Sequence, residues 1–260
     1  MDFDAKRKGT GTMEWADTTE NICLGCANNC LYCYAAHNAD RFGTKPRSEW
    51  ANEEFTKRAN IKSYPAKDGV IMFPSSHDIT PFNVDKFIEV AQLMLAKGNK
   101  LLIVSKPRIE CIEKIALHLY NWRNQILFRF TIGSINAELC AFWEPGASTP
   151  KERIECLQVT NALNYSTSVS IEPMLSGVHS AIEVVKAVDP HVTDTIWIGK
   201  MNKADLRITI TNSEIAEAIS LVHSFQRDEL ILWMYEQLKD NPKIRWKDSI
   251  NVVLKNHNKI

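Results

Sequence analysis

No run in this sequence approaches the roughly 18 uninterrupted apolar residues that would span a bilayer, so no membrane partner is expected. Charge of one sign is equally lacking. The chain carries 31 Lys and Arg against 31 Asp and Glu, and a net charge of zero exerts no global pull towards nucleic acid or an anionic membrane. A local basic patch stays open. Low-complexity tracts and short-period repeats are missing too. The opening Met1-Asp-Phe-Asp-Ala-Lys-Arg-Lys has no apolar signal region, which leads to the expectation of a reducing, cytoplasmic setting. What is present is bulk for a core: 260 residues, 45% of them hydrophobic, suit one large domain or two small ones.

Cysteine is not scarce but crowded. Four of the seven fall between Cys23 and Cys33, and Cys26, Cys30 and Cys33 read C-x3-C-x2-C. Thiolates so close in sequence converge on one inorganic centre only if the backbone wraps around it as a loop. Three readings compete. Disulfides conflict with a reducing compartment. A structural zinc site has enough ligands if Cys23 joins the other three, but zinc modules usually separate two ligand pairs by a dozen or more residues, and here the gap is three. An iron–sulfur cluster is held by cysteine thiolates and accepts tight spacing within one loop. Three cysteines would leave one iron of a four-iron cluster without a protein ligand.

At these residues the sequence resembles the radical S-adenosylmethionine (radical SAM) superfamily, whose loop is C-x3-C-x2-C with an aromatic residue before the last cysteine, the place of Tyr32. The resemblance implies a 4Fe-4S cluster on Cys26, Cys30 and Cys33. It implies that the open iron takes the amino and carboxylate groups of S-adenosyl-L-methionine (SAM), and that reductive cleavage yields methionine and a 5′-deoxyadenosyl radical. In such sites the cofactor carries the hard chemistry and the protein binds, orients and shields it. Cys23 is spare, suited to pack as a small apolar side chain.

From Gly69 onward short apolar runs alternate with amphipathic segments of helix length. Residues 70–73, 100–105, 126–132, 166–171 and 195–199 read as strands, and residues 84–96, 109–119, 150–163, 177–188 and 213–225 as helices, with Ser148 and Thr149 as candidate caps before Pro150. Parallel strands need crossover connections, so the alternation predicts an α/β fold with a parallel sheet and active residues after the strand ends. Counting the cysteine segment gives about six strand–helix units. The resemblance sharpens this to a partial (β/α)6 radical SAM barrel over residues 20–226, with an N-terminal lead-in over residues 1–19 anchored by Trp15 and a C-terminal helical cap over residues 227–260. Residues 35–64 hold Arg41, Lys45, Arg47, Lys57, Arg58 and Lys62 among Phe42, Trp50 and Phe55. Such a run is either a solvated connection or a basic, aromatic rim for a phosphate-bearing partner.

The strand ends hold the candidate cofactor residues. Ser75, Ser76 and Asp78 lie in the loop after residues 70–73, where the superfamily contacts the SAM ammonium, although a turn rich in Ser and Asp also commonly leads into a helix. Lys106 ends the next strand and is a candidate partner for the SAM carboxylate. A longer resemblance, over about residues 20–200, is to the spore photoproduct lyase-like branch. It rests on these loops and on Phe130-Thr-Ile-Gly-Ser-Ile-Asn136 running into Glu144-Pro-Gly-Ala-Ser-Thr-Pro-Lys-Glu-Arg153, since related sequences read much like S-I-T followed by E-P-G-A-P-S-P-E-E-R. Thr131 falls at the serine of that pattern, near the expected SAM ribose or methionine part, and Glu172 faces cofactor or substrate. Lys200-Met-Asn-Lys203 after the sixth strand would sit at the mouth.

One departure stands out. Spore photoproduct lyase proper uses a cysteine near the second-strand loop to return a hydrogen atom, and this chain has none between Tyr34 and Glu110, which argues against thymine-dimer repair. Cys140 is the candidate donor in its place, with buried filler as the plainer reading of Cys140, Cys111 and Cys156. The expected function is thus a radical SAM enzyme, lyase or modifying, served by an electron donor such as flavodoxin or ferredoxin, whose substrate is a nucleic acid, a peptide or a small molecule. The opposing reading is a non-catalytic zinc- or nucleic-acid-binding protein with a structural cysteine site. The two part at one residue: Cys23→Ala is expected to leave iron and sulfide content after anaerobic reconstitution unchanged, whereas four-coordinate zinc would need Cys23 as much as Cys26.

Overall fold

The computed structural model describes Phe3 and residues 9–260. In chain order the elements are β1 (Thr18–Thr19), β2 (Cys23–Leu24), α1 (Tyr34–Arg41), β3 (Glu54–Phe55), β4 (Val70–Met72), α2 (Val84–Leu95), β5 (Lys100–Ser105), α3 (Ile109–His118), β6 (Ile126–Thr131), α4 (Ala137–Trp143) and α5 (Pro150–Ala162). There follow β7 (Ser166–Ile171), α6 (Gly177–Val188), β8 (Ile196–Ile198), α7 (Ala204–Arg207), α8 (Ser213–Phe225), α9 (Asp228–Leu238), β9 (Ile244–Trp246) and α10 (Asp248–Asn256). Seven strands form one sheet in the order β1-β4-β5-β6-β7-β8-β9, every pair parallel, and the sheet curls into a half-barrel with helices outside. This is the expected partial barrel. No helix among the described residues is long and apolar enough to cross a membrane.

The alternation of side chains along a strand explains both faces. Ile71, Leu101, Ile103, Ile126, Phe128, Phe130, Val169, Ile171, Ile196 and Ile198 pack with the helices in the main apolar core. Their neighbours Val70, Met72, Leu102, Leu127, Val104 and Trp197 face inward and pack with Phe3 and Trp15. The same inward row carries Arg129, whose Nε donates to Ser168 Oγ at 2.9 Å and whose guanidinium lies 4.9 Å from the Trp15 ring. Continued by two residues at each strand's carboxyl end, the inward rows reach Lys106, Thr131, Glu172 and Lys247.

The sheet differs from the sequence reading in three places. The first strand is Thr18–Thr19, before the cysteines, while Cys23–Leu24 pairs antiparallel with Glu54–Phe55 in a separate small sheet. Residues 227–260, expected as a helical cap, add a strand: β9 pairs parallel with β8 through Ile196↔Ile244 and Ile198↔Trp246. A three-residue strand between two helices has no period of its own, and only pairing with β8 makes it one. Helix α4 was also not foreseen; Asn136 caps it by accepting from Leu139 N at 3.0 Å. The expected cap of α5 is Thr149, accepting from Glu152 N at 3.2 Å.

Phe128 is fully buried at the centre of the sheet, edge-on to Tyr165 with ring centres 5.0 Å apart. Phe128→Ala is expected to cost about 3–5 kcal/mol in denaturant unfolding. Leu117→Ala, at a side chain 75% exposed, is expected to stay within about 0.5 kcal/mol.

Candidate active site

One cavity of about 460 Å³ opens at the carboxyl ends of the strands, within the size range of small-molecule sites. Its lining includes Cys26, Cys30 and Cys33 together with Tyr32, Ser75, Ser76, Asp78, Lys106, Thr131 and Glu172. Residues far apart in sequence thus meet because parallel strands end on one side and each donates its next inward side chain.

The cysteine loop is built by backbone bonds and held from three directions. Cys26 N donates to Trp50 O at 2.8 Å, Leu31 N to Trp143 O at 2.9 Å, and Cys33 N to Cys30 O at 3.2 Å. Arg47 reaches over it, its Nη2 donating to Cys30 O at 3.0 Å and its Nη1 to Asn29 Oδ1. From the third side comes Gly146 of the Glu-Pro-Gly block: its N–H donates to Asn28 O at 3.1 Å, and a Cβ there would stand 2.0 Å from Ala27 O. Only glycine allows that approach. Cys33 caps α1, its Sγ accepting from Ala36 N at 3.4 Å. Burial pushes the Cys30 thiol up to about 12 and the Cys26 thiol well above its ordinary value. Cys23 is buried in the main core instead and does not line the cavity.

Beside the loop lies a buried carboxylate. Glu144 has a fully buried side chain; its Oε2 is 2.5 Å from Arg153 Nη2, its Oε1 accepts from Tyr32 Oη, and Lys106 Nζ lies 3.8 Å away. Burial works to raise the Glu144 carboxyl, but Arg153 and Lys106 together hold it below the usual carboxylate range. Burial likewise opposes the Lys106 ammonium, and Cys30, Glu144 and Asp78 outweigh it, leaving the pKa raised. Arg153 further donates to Ser148 O at 2.7 Å and to Thr131 O at 3.1 Å, fixing the end of β6.

The Ser75–Asp78 loop is shaped by asparagines. Asn21 Oδ1 accepts from both Ser75 N and Ser76 N at 2.8 Å. Asp78 is engaged at both oxygens: Oδ2 accepts from Asn28 Nδ2 at 2.7 Å and Lys106 N at 2.9 Å, and Oδ1 from Ile79 N at 2.7 Å and Ser105 Oγ. With its lone pairs so occupied, Asp78 ties β4, β5 and the cysteine loop together and offers the cavity its charge. His77 is buried and accepts from Ile22 N through Nε2 at 3.2 Å, so Nδ1 carries the proton that goes to Asp78 O at 2.9 Å; burial lowers its pKa.

At the other end of the cavity Lys247 Nζ lies 2.8 Å from Glu14 Oε1 and 3.4 Å from Glu172 Oε2, over the Trp15 ring at 4.1 Å. Burial raises the Glu172 carboxyl, with Lys247 working against it. The lead-in therefore lines the cavity through Thr10, Gly11, Thr12 and Trp15.

Other sequence expectations meet a different geometry. Cys140, expected as hydrogen-atom donor, is not brought to the cavity: it is buried among Trp143, Leu175 and Met201, its thiol 3.5 Å from Ser134 O. The basic rim of residues 35–64 is partly internal, since Lys45 is buried and pairs with Glu54 and Arg47 holds the cysteine loop, while Arg58 stays exposed with its Nε donating to Glu20 Oε1 at 2.9 Å. Sequence reasoning missed Asn21, Asn28, Arg108, whose Nη2 donates to Asn28 Oδ1 at 2.9 Å, and the Glu144–Arg153 pair. The last had a signal, opposite charges at the two ends of the Glu-Pro-Gly block.

No protein-family model matches the chain. Among curated proteins it is 23% identical over 168 residues to an uncharacterized protein, ORF301, of Acidianus two-tailed virus, an overlap of 59% of this chain and 54% of that protein. The chain thus spans about half the length of the curated relative it matches. Among solved structures it is similar to Streptococcus suis SuiB bound to the precursor peptide SuiA (TM-score 0.57, 11% identity, 92% of this chain and 51% of that one). SuiB bound to S-adenosylmethionine gives a TM-score of 0.52 at 11% identity, over 88% of this chain and 50% of that one. Spore photoproduct lyase complexed with dinucleoside spore photoproduct gives 0.51 at 14% identity, over 93% of this chain and 79% of that one. Parallel half-barrel, strand-end cavity and cysteine loop together give this chain the fold of the radical SAM enzymes, in its spore photoproduct lyase-like form.

Proposed function

We propose that this protein is a radical SAM enzyme that holds a 4Fe-4S cluster on Cys26, Cys30 and Cys33 and binds SAM in the strand-end cavity. One observation carries the reading: all three thiols and the strand-end polar residues line the same cavity. The donor set also fits a cluster. Each ligated iron of a cluster takes one thiolate, so three sulfurs of one loop can meet three different irons without converging on a point. The zinc alternative needs four donors around one point, and Cys23 lies in the core instead. When bound and reduced by a donor such as flavodoxin or ferredoxin, the cluster would supply the electron that splits the SAM sulfonium, giving a 5′-deoxyadenosyl radical for hydrogen abstraction.

The chain's own residues position and shield. Lys106 presents an ammonium beside the cysteine loop, 3.8 Å from Glu144, so a ligand carboxylate finds a charged hydrogen-bond donor there. Tyr32 is held over Glu144 and under the Lys106 ammonium, 5.6 Å from its ring centre. Ser75 and Ser76, their backbone fixed by Asn21, and Thr131, its carbonyl fixed by Arg153, would line the SAM body. Trp15 and the Lys247–Glu172 pair line the other end of the cavity.

Anaerobic reconstitution is expected to give a four-iron electron paramagnetic resonance signal that changes when SAM is added; bound zinc, or a cluster indifferent to SAM, would sink the proposal. A second expectation concerns Glu144. Glu144→Ala strands the Arg153 guanidinium in the core and is expected to cost about 3–5 kcal/mol in denaturant unfolding, against about 1 kcal/mol for Tyr32→Phe, which removes one hydrogen bond.

A further inference from the structure

Arg207 ends the short helix α7 after β8 and lines the cavity with Lys200, Met201 and Asn202 of the same segment. It is half-buried. Its backbone N–H donates to Lys203 O at 3.0 Å, but its guanidinium has no carboxylate or carbonyl partner among the described residues, only the face of Tyr34, 5.9 Å away. Glu172 is near enough to attract it, yet that carboxylate is taken by Lys247 at 3.4 Å. Lys200 Nζ lies 4.0 Å from Asp228 Oδ1. Burial lowers the Arg207 pKa, the mark of a cation whose hydration has been given up without a full replacement.

An unanswered guanidinium on the wall of a cavity is a recognition element, because its planar fork matches the two oxygens of a carboxylate or phosphate. Four cations line the cavity: Lys106 stands beside Glu144, Lys247 is paired with Glu14 and Glu172, and Lys200 lies 4.0 Å from Asp228, which leaves Arg207 as the one of the four with no ion-pair partner among the described residues. Lys106 is supplied by β5 and Arg207 by the segment after β8, whereas SAM carries one carboxylate. We infer that Arg207 receives an anionic group of the substrate, a carboxylate or a phosphate, at the end of the cavity bounded by Glu172 and the β8 loop. The Tyr34 ring lies under the guanidinium, its centre 5.9 Å away. The inference rests on reading the cavity as the SAM chamber, and its test separates the two.

Inorganic phosphate and acetate would each be titrated calorimetrically into the protein as purified and after cluster reconstitution, with and without SAM, and SAM binding measured alongside. At least one ion is expected to bind, equally well with SAM present, and its chemistry tells phosphate from carboxylate. Arg207→Gln is expected to weaken that ion about ten- to a hundred-fold, the loss of one charge-assisted hydrogen bond, while leaving SAM affinity within about two-fold. Arg207→Lys keeps charge and loses the fork, so a loss of about three- to ten-fold is expected from a variant that keeps the charge its surroundings already accommodate. Binding of neither ion at about 100 mM, equal binding by Arg207→Gln, or a parallel loss of SAM affinity would overturn the inference, the last by making Arg207 a cofactor ligand. Failure of the cluster to assemble while the ion still binds through Arg207 would count against the radical SAM reading alone.

Discussion

The site depends on one buried carboxylate. Glu144 has a fully buried side chain, and a buried charge is tolerated only when paired and hydrogen-bonded. Arg153 of α5, Tyr32 of the cysteine loop and Lys106 of the β5 end all meet it. Because Arg153 also holds Ser148 O and Thr131 O, the single carboxylate fixes the relative positions of four separate segments. Polar networks of this kind are costly if half-made and rigid when complete. Rigidity is what a cavity that must hold a ligand in one orientation requires.

A second network, around Asp78, does the same for the opposite wall. Four donors from β4, β5 and the cysteine loop converge on its two oxygens. The two acids are therefore framework as much as ligand surface. Groups still open to a guest are the three thiols, the Ser75–Ser76 edge, Thr131 and the cations Lys106 and Arg207. That division follows from counting acceptors: a carboxylate oxygen already holding two donors has nothing further to offer a third.

At the deep end the half-barrel is closed by its own termini. Trp15 packs edge-on to Trp197, with ring centres 6.0 Å apart, and Lys247 bridges Glu14 to Glu172, joining the lead-in to the segment after β9. An open sheet of seven parallel strands leaves its inner face to be filled, and here the filling comes from outside the strand–helix alternation.

Periodicity made the helices and most strands legible: residues 100–105, 166–171, 177–188 and 213–225 were readable to their last residue, because an apolar stripe of period two or 3.6 is written locally. The cysteine spacing and the strand-end residues Ser75, Ser76, Asp78, Lys106, Thr131 and Glu172 were legible for the same reason, since parallel strands deliver their ends to one side. Partnerships across long separations were not: which acid meets Arg153, that Lys45 and Arg47 turn inward, that Ile244–Trp246 is a strand, and that Cys140 does not line the cavity. The sequence by itself determined the strand–helix alternation and the residue types available at each strand end. Only the tertiary structure decided which of those groups answer one another and which are left facing the cavity, because pairing depends on distances between segments that no local pattern encodes.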